Sequence, residues 1–298
     1  MTPFPESELE AHLPWDARGL ALHFDEPVLI PEQPTVTLRG VLGHALKNSL
    51  APGQADPREG NPFWRMFKPP EGAPPPYLID CAPGAGSALR LRFTLRAFGR
   101  QASSLLDVYT HALEVWQGRG FGPARVPYAL EVEPACVAPP PWETHETAQT
   151  SPAVWRLHFD SPVQLTWRGQ PLPDDAPLIH VLAWAGLRRL RTLAEAYDGA
   201  VTWRTEGVND LVSRTGVPRT ALSQVALQVT SSIDGHATPV GGLSGFIEFE
   251  GPEEIARLLA IGAWIGVGKH TAHGCGRLRV ERMTDPLPAP ESSVSQQS

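Results

Sequence analysis

The chain has 298 residues, 42% of them hydrophobic, with 27 glycines and 32 prolines, a composition that fits a globular protein of two domains. No apolar run reaches the roughly 18 residues of a membrane span, and residues 1–10 are acidic and lack the pattern of a secretory signal, so the expected location is cytoplasmic. A formal net charge of −7 excludes a protein that coats nucleic acid indiscriminately, and Cys81, Cys136 and Cys275, scattered and odd in number, predict neither a disulfide framework nor a metal knuckle.

An internal repeat organises the chain. Leu22-His23-Phe24-Asp25-Glu26-Pro27-Val28 returns as Leu157-His158-Phe159-Asp160-Ser161-Pro162-Val163. In the first half a strand over 20–30 leads to a helix over 37–47, where Leu38, Val41, Leu42, Ala45 and Leu46 recur at helical spacing. A proline-rich excursion past Phe63, Trp64, Phe67 and Pro74-Pro75-Pro76-Tyr77 precedes a strand over 89–96, apolar on one face and arginine on the other. A helix over 103–116, the run Gly118-Arg119-Gly120-Phe121-Gly122 and a strand near 126–132 complete this half. The second half repeats the order: a strand over 155–165, a long helix over 177–197, strands around 222–230 and 243–249, a helix over 253–265, a glycine loop and a strand over 277–282. Each half reads β-α-β-β-α-β, which predicts an α+β fold of two tandem ferredoxin-like, RRM-like domains. The domains are expected at 1–148 and 149–284, joined through the proline-dense 133–152, with a disordered tail at 285–298.

Although the whole chain is acidic, 33–55, 81–106 and 262–280 contain no Asp or Glu, so a local basic groove is compatible with the composition. Lysines occur only at 47, 68 and 269, and arginine supplies nearly all positive charge. The loop within 262–280 holds Gly262, Gly266, Gly268, Gly274 and Gly276 with Lys269, His270, His273 and Arg277. Glycines here either free backbone N–H groups to meet a polyanion or serve a tight helix-to-strand connection. On the first helix His44, Gly40 and Lys47 lie opposite the apolar face, so His44 is either an ordinary surface histidine or a functional one. Gly40 and Gly43 each cost roughly 1 kcal/mol relative to alanine, which is easier to understand if something packs close. The helix over 177–197 leaves His180, Trp184, Arg188 and Arg191 as one stripe beside Arg189, suited to RNA contact or, through Trp184, to packing between domains.

Other chemistries lose their context. Gly266 and Gly268 come after a helix and open a strand, the reverse of a dinucleotide or phosphate-binding loop. The triplets at His145-Glu146-Thr147 and His236-Ala237-Thr238 lie on no convincing strand, and no acid-rich or Cys/His ligand set suggests a metal, so no cofactor is expected.

The helix from Leu38 through His44 to Lys47, Pro75-Pro76-Tyr77, the run Pro239-Val240-Gly241-Gly242-Leu243-Ser244-Gly245 and the run from Gly266 to Arg277 resemble signatures of the CRISPR repeat-processing endoribonucleases of the RAMP superfamily. The resemblance covers nearly the whole chain. It implies that the terminal glycine loop lies against RNA and that the first helix supplies the catalytic residue, for which His44 fits; Lys47, Lys269 or His270 is expected to steady developing charge. The expected RNA-binding set is Gly266, Gly268, Lys269, His270, His273, Gly274, Gly276 and Arg277 from that loop, with Arg188 and Arg191 from the helix stripe and Arg39. Where related proteins often have a basic segment before Pro239, residues 231–236 are nearly neutral. The implied function is metal-independent cleavage of the repeat in precursor CRISPR RNA, by 2′-OH attack, to a 2′,3′-cyclic phosphate. The alternative is a non-cleaving protein that binds the guide RNA 3′ stem within an interference complex. Expected partners are repeat or guide RNA and other CRISPR effector proteins, with no membrane.

Overall fold

The computed structural model describes residues 9–48, 63, 67, 69–82, 86–143, 153–203, 205–230 and 237–283. The expected tail at 285–298, Trp64, residues 144–152, and the segment 231–236 lie outside these, and the two His-x-Thr triplets fall wholly or partly there. In chain order the first half runs β1 (Leu9–His12), β2 (Trp15–Ile30), α1 (Pro34–Asn48), β3 (Tyr77–Asp80), β4 (Gly86–Phe98), α2 (Ala102–Trp116) and β5 (Ala129–Glu133). The second runs β6 (Ala153–Val163), β7 (Thr166–Trp167), β8 (Gln170–Pro171), α3 (Leu178–Ala196), β9 (Ala200–Trp203), α4 (Thr205–Ser213), β10 (Gly216–Thr230), β11 (Ala237–Gly251), α5 (Glu253–Ile265) and β12 (Leu278–Arg282).

Two antiparallel sheets result, ordered β3-β4-β2-β5 and β10-β11-β6-β12. Each sets the first and third strands of its unit side by side in the centre, so the fold is two tandem ferredoxin-like units. The repeated heptapeptide lies on the first strand of both. In each copy the register slips at its proline end, between His23 and Val28 on β2 and opposite Leu243 and Gly245 on β6. Proline cannot donate to the ladder, and a bulge accommodates it. The duplication extends to side chains: His23 meets Glu131 of β5 at 2.6 Å, and His158 meets Glu281 of β12 at 2.9 Å.

Period-two patterning gives β4 its two faces. Leu91, Phe93 and Leu95 are buried, while Arg90 pairs with Glu131 and Glu133, and Arg92 with Glu133. On α1 Leu38, Val41, Leu42, Ala45 and Leu46 all enter the first core with the inner face of β4. Gly43 is also explained here, because a β-carbon would strike the ring of Phe67. Among the described residues no helix is long and apolar enough to cross a membrane.

The two units are interlocked. β1 pairs with β9 across the halves, and Leu13, Leu78 and Phe98 belong to the core of the second unit. Ala272 belongs to the core of the first. Trp264 at the end of α5 is the hub. Its ring meets Trp15 at 4.8 Å, Trp142 at 5.1 Å and Phe98 at 5.7 Å, and its Nε1 donates to the Ala138 carbonyl at 3.1 Å. The described part of the expected linker is thus strapped onto this interface, with Val137 and Trp142 packed against the second core.

Candidate nucleic-acid interface

The glycine loop connects α5 to β12. Gly266, Gly268, Gly274 and Gly276 all take positive φ, at 79°, 75°, 85° and 80°. A β-carbon on Gly268 would collide with the Gln164 carbonyl, one on Gly276 with that of Val267, and one on Gly274 with Thr35. Gly266, Gly274 and Gly276 are buried: they fold the loop on itself and against its neighbours. The Val267 N–H donates to Gly276 at 3.0 Å and the Lys269 N–H to Gln164 at 3.0 Å. What the loop presents outward is the exposed Lys269 and the half-buried Gly268 and His270.

The inner side of the loop leans on the N-terminal end of α1. His273, Gly274 and Arg277 line a groove of about 200 Å³ with Thr35, Asp160 and Ser161. Arg277 is fixed there: Nη2 pairs with Asp80 at 2.6 Å, Nη1 donates to the Cys81 carbonyl, and its N–H donates to Ser161 Oγ at 2.9 Å. Asp80 also holds the buried Arg96 at 2.8 Å, and Arg96 donates to the Trp264 carbonyl. Arg277 is therefore a clamp between the units. Arg39 is partly engaged, donating to Tyr77 Oη at 3.1 Å with its guanidinium 4.7 Å over Phe67.

Burial, with Arg39 and His270 nearby, lowers the His273 ring to about 4. Burial and then Lys269 lower His270. Unfolded, His273 takes its proton near 6.5, and folded only near 4. Between those values the unfolded chain binds more protons, so this contribution is full above 6.5 and lost as pH falls toward 4. The urea midpoint should drop from pH 7 to pH 5, and the drop should be smaller in His273→Gln.

The outer side of the loop opens onto α3. A cleft of about 880 Å³ is lined by His180, Trp184 and Arg188 together with Lys269, so two parts of the predicted RNA-binding set meet here. Arg191 does not join them: it pairs with Glu195 at 2.6 Å and lies over Trp203, which corrects the four-residue stripe. Sequence reasoning missed the opposite wall, Gln164 to Gly169. The signal for it was Arg168-Gly169, which take positive φ at 51° and 80° to turn the β7–β8 ribbon, as two-residue hairpins require.

His44 is half-buried near the other end of α1, roughly 13 Å along the axis from Thr35. Its ring stacks on Trp116 at 6.0 Å and 13°. Arg119 lies 5.2 Å over the same indole, and Lys47 is exposed one turn on. The structure thus places His44 beside the Gly118–Gly122 loop, the first unit's counterpart of the terminal glycine loop.

The fold resembles several solved structures. A Cas6 product complex is 22% identical, with 91% of this chain and 100% of that one covered and a TM-score of 0.52. Thermus thermophilus Cas6 is 16% identical, with 91% and 99% covered and a TM-score of 0.52. At these identities the likeness is one of fold. Comparison with curated proteins gives no match. Residues 13–136 match a family model described as the AF_1859_N N-terminal domain. Residues 157–278 match the model of the CRISPR-associated endoribonuclease Cas6, so the second unit of the chain carries the signature of that family.

Proposed function

We propose that the protein binds the repeat of precursor CRISPR RNA and cuts it without a metal ion, giving guide RNA. The observation that carries the reading is the meeting of Lys269 on the terminal loop with Arg188 on α3, a cationic rim beside a half-buried aromatic cleft on an otherwise acidic chain. Neither side chain is in an ion pair among the described residues, so both keep their charge for phosphate. Phosphate contacts position an RNA and make its binding salt-dependent. Solved Cas6 structures include product and substrate-mimic complexes and a Cas6-RT-Cas1–Cas2 complex, which supports RNA and CRISPR proteins as partners.

For the chemistry, His44 acts as acid or base while the 2′-OH attacks the neighbouring phosphorus and the 5′ oxygen leaves. The products are a 2′,3′-cyclic phosphate and a 5′-hydroxyl. An imidazole titrates near neutrality and contributes about 10²–10⁴-fold by proton transfer. Lys47, exposed one turn from His44, steadies charge on the phosphate in this reading. Replacing both Arg188 and Lys269 by Gln should weaken repeat binding and lower the slope of log affinity against log salt by about 1.5, from roughly 0.7–0.9 per phosphate contact. An unchanged slope in a filter-binding series would remove both residues from the interface.

A further inference from the structure

The cleft against α3 holds more than a phosphate rim needs. We propose that it is a base-reading subsite, taking one unpaired nucleotide of the bound RNA with its base among Trp167, His180 and Trp184 and its phosphate on Arg188 and Lys269. This rests on the proposed RNA binding and adds a site of sequence discrimination to it.

The concavity has the scale of a small-ligand pocket, about 300–1,000 Å³, which admits a single nucleotide and not a duplex. The aromatic groups form a chain at the edge of the second core, against which Trp167 and Trp184 pack. Trp167 meets His180 edge-on at 6.0 Å, His180 meets Trp184 at 6.3 Å, and all three are only half-buried. The Arg168 guanidinium lies 5.4 Å over Trp167 and Trp203 meets Trp184 edge-on at 6.4 Å, and the faces these leave are of the kind unpaired bases stack on. Among the described residues no Asp or Glu lines the cleft, and the exposed Arg168 adds a further cation to its wall.

Among the described residues two polar groups on its walls lack partners. Arg189 donates through Nε to the Ile265 carbonyl at 3.0 Å, but its Nη2 has no acceptor. Gln164 Oε1 has no donor. Buried groups of this kind are rarely left unsatisfied. Burial lowers Arg189 to about 10, with Tyr197 opposing, so it remains a cation and a donor at neutral pH. One donor and one acceptor at the wall of an aromatic slot complement a base edge, where acceptors and donors lie side by side. Gln164 also anchors the site through its backbone, whose carbonyl receives the Lys269 N–H. A side-chain substitution there leaves that bond in place.

The test uses the full-length protein and fluorescein-labelled uridine octamers whose fourth position is A, C, G, U or abasic, read by anisotropy. One base should bind at least fivefold tighter than the abasic octamer. Trp184→Ala should remove that advantage, a loss of about tenfold or more for one stacked base. Gln164→Leu should level the four bases while affinity for the abasic octamer stays unchanged, which keeps the question decidable if Trp184→Ala folds poorly. Equal binding of abasic and base-containing octamers by the wild type overturns the subsite and leaves the RNA interface standing. Failure of any octamer to bind overturns the interface itself.

Discussion

His44→Ala should lower the rate of repeat cleavage about 10²–10⁴-fold while repeat affinity stays within about twofold. The ring is half-buried and lies against Trp116, so its removal opens only a shallow gap at the end of α1 and leaves the cationic rim intact. Single-turnover cleavage with labelled repeat RNA separates this from a binding defect, since loss of a transition-state contact lowers the chemical step without changing the dissociation constant. Undiminished cutting by the variant would move the chemistry to His270 and His273. Both lie at the opposite end of α1 with lowered pKa values, suited to serve as neutral bases.

Asp80→Ala should destabilise the protein by roughly 3 kcal/mol. Asp80 is the one carboxylate shared by Arg96 and Arg277, at 2.8 and 2.6 Å. Arg96 is 8% exposed at its side chain, and a buried charge stripped of its partner typically costs about 3–5 kcal/mol. The lower end applies because the carboxylate itself is 31% exposed. Urea denaturation measures the change. Replacing Asp80 and Arg96 together by Leu and Met should cost less than Asp80→Ala alone, since the pair's desolvation disappears with it. If the single substitution is neutral, the ion network does not hold the units together.

The repeated heptapeptide and the alternation on β4 made the duplicated ferredoxin-like order legible in the sequence, because both are local patterns tied to strand geometry. β3, only four residues long after a proline-rich excursion, carries too little pattern to be read alone. The β1–β9 pairing and the Trp264 hub join residues far apart in the chain, and nothing local announces them. In the candidate site the stripe on α3 was visible from its spacing, but Arg191 and Glu195 stand four residues apart and neutralise each other. The acid-free composition of 262–280 suggested a free Arg277, whereas Asp80, nearly two hundred residues away, takes its charge. The glycines illustrate the same limit: positive φ serves a phosphate nest and a self-packed loop equally, and only the neighbours of each position tell them apart.

Metal-independent cutting of the repeat is decided by incubating the purified protein with synthetic repeat RNA in EDTA, beside the same RNA carrying a 2′-deoxy sugar at the cut site. Cleavage of the first to a 2′,3′-cyclic phosphate, with the second bound but uncut, is the predicted result. Binding without cleavage of either, or cleavage that requires an added metal ion, would contradict it.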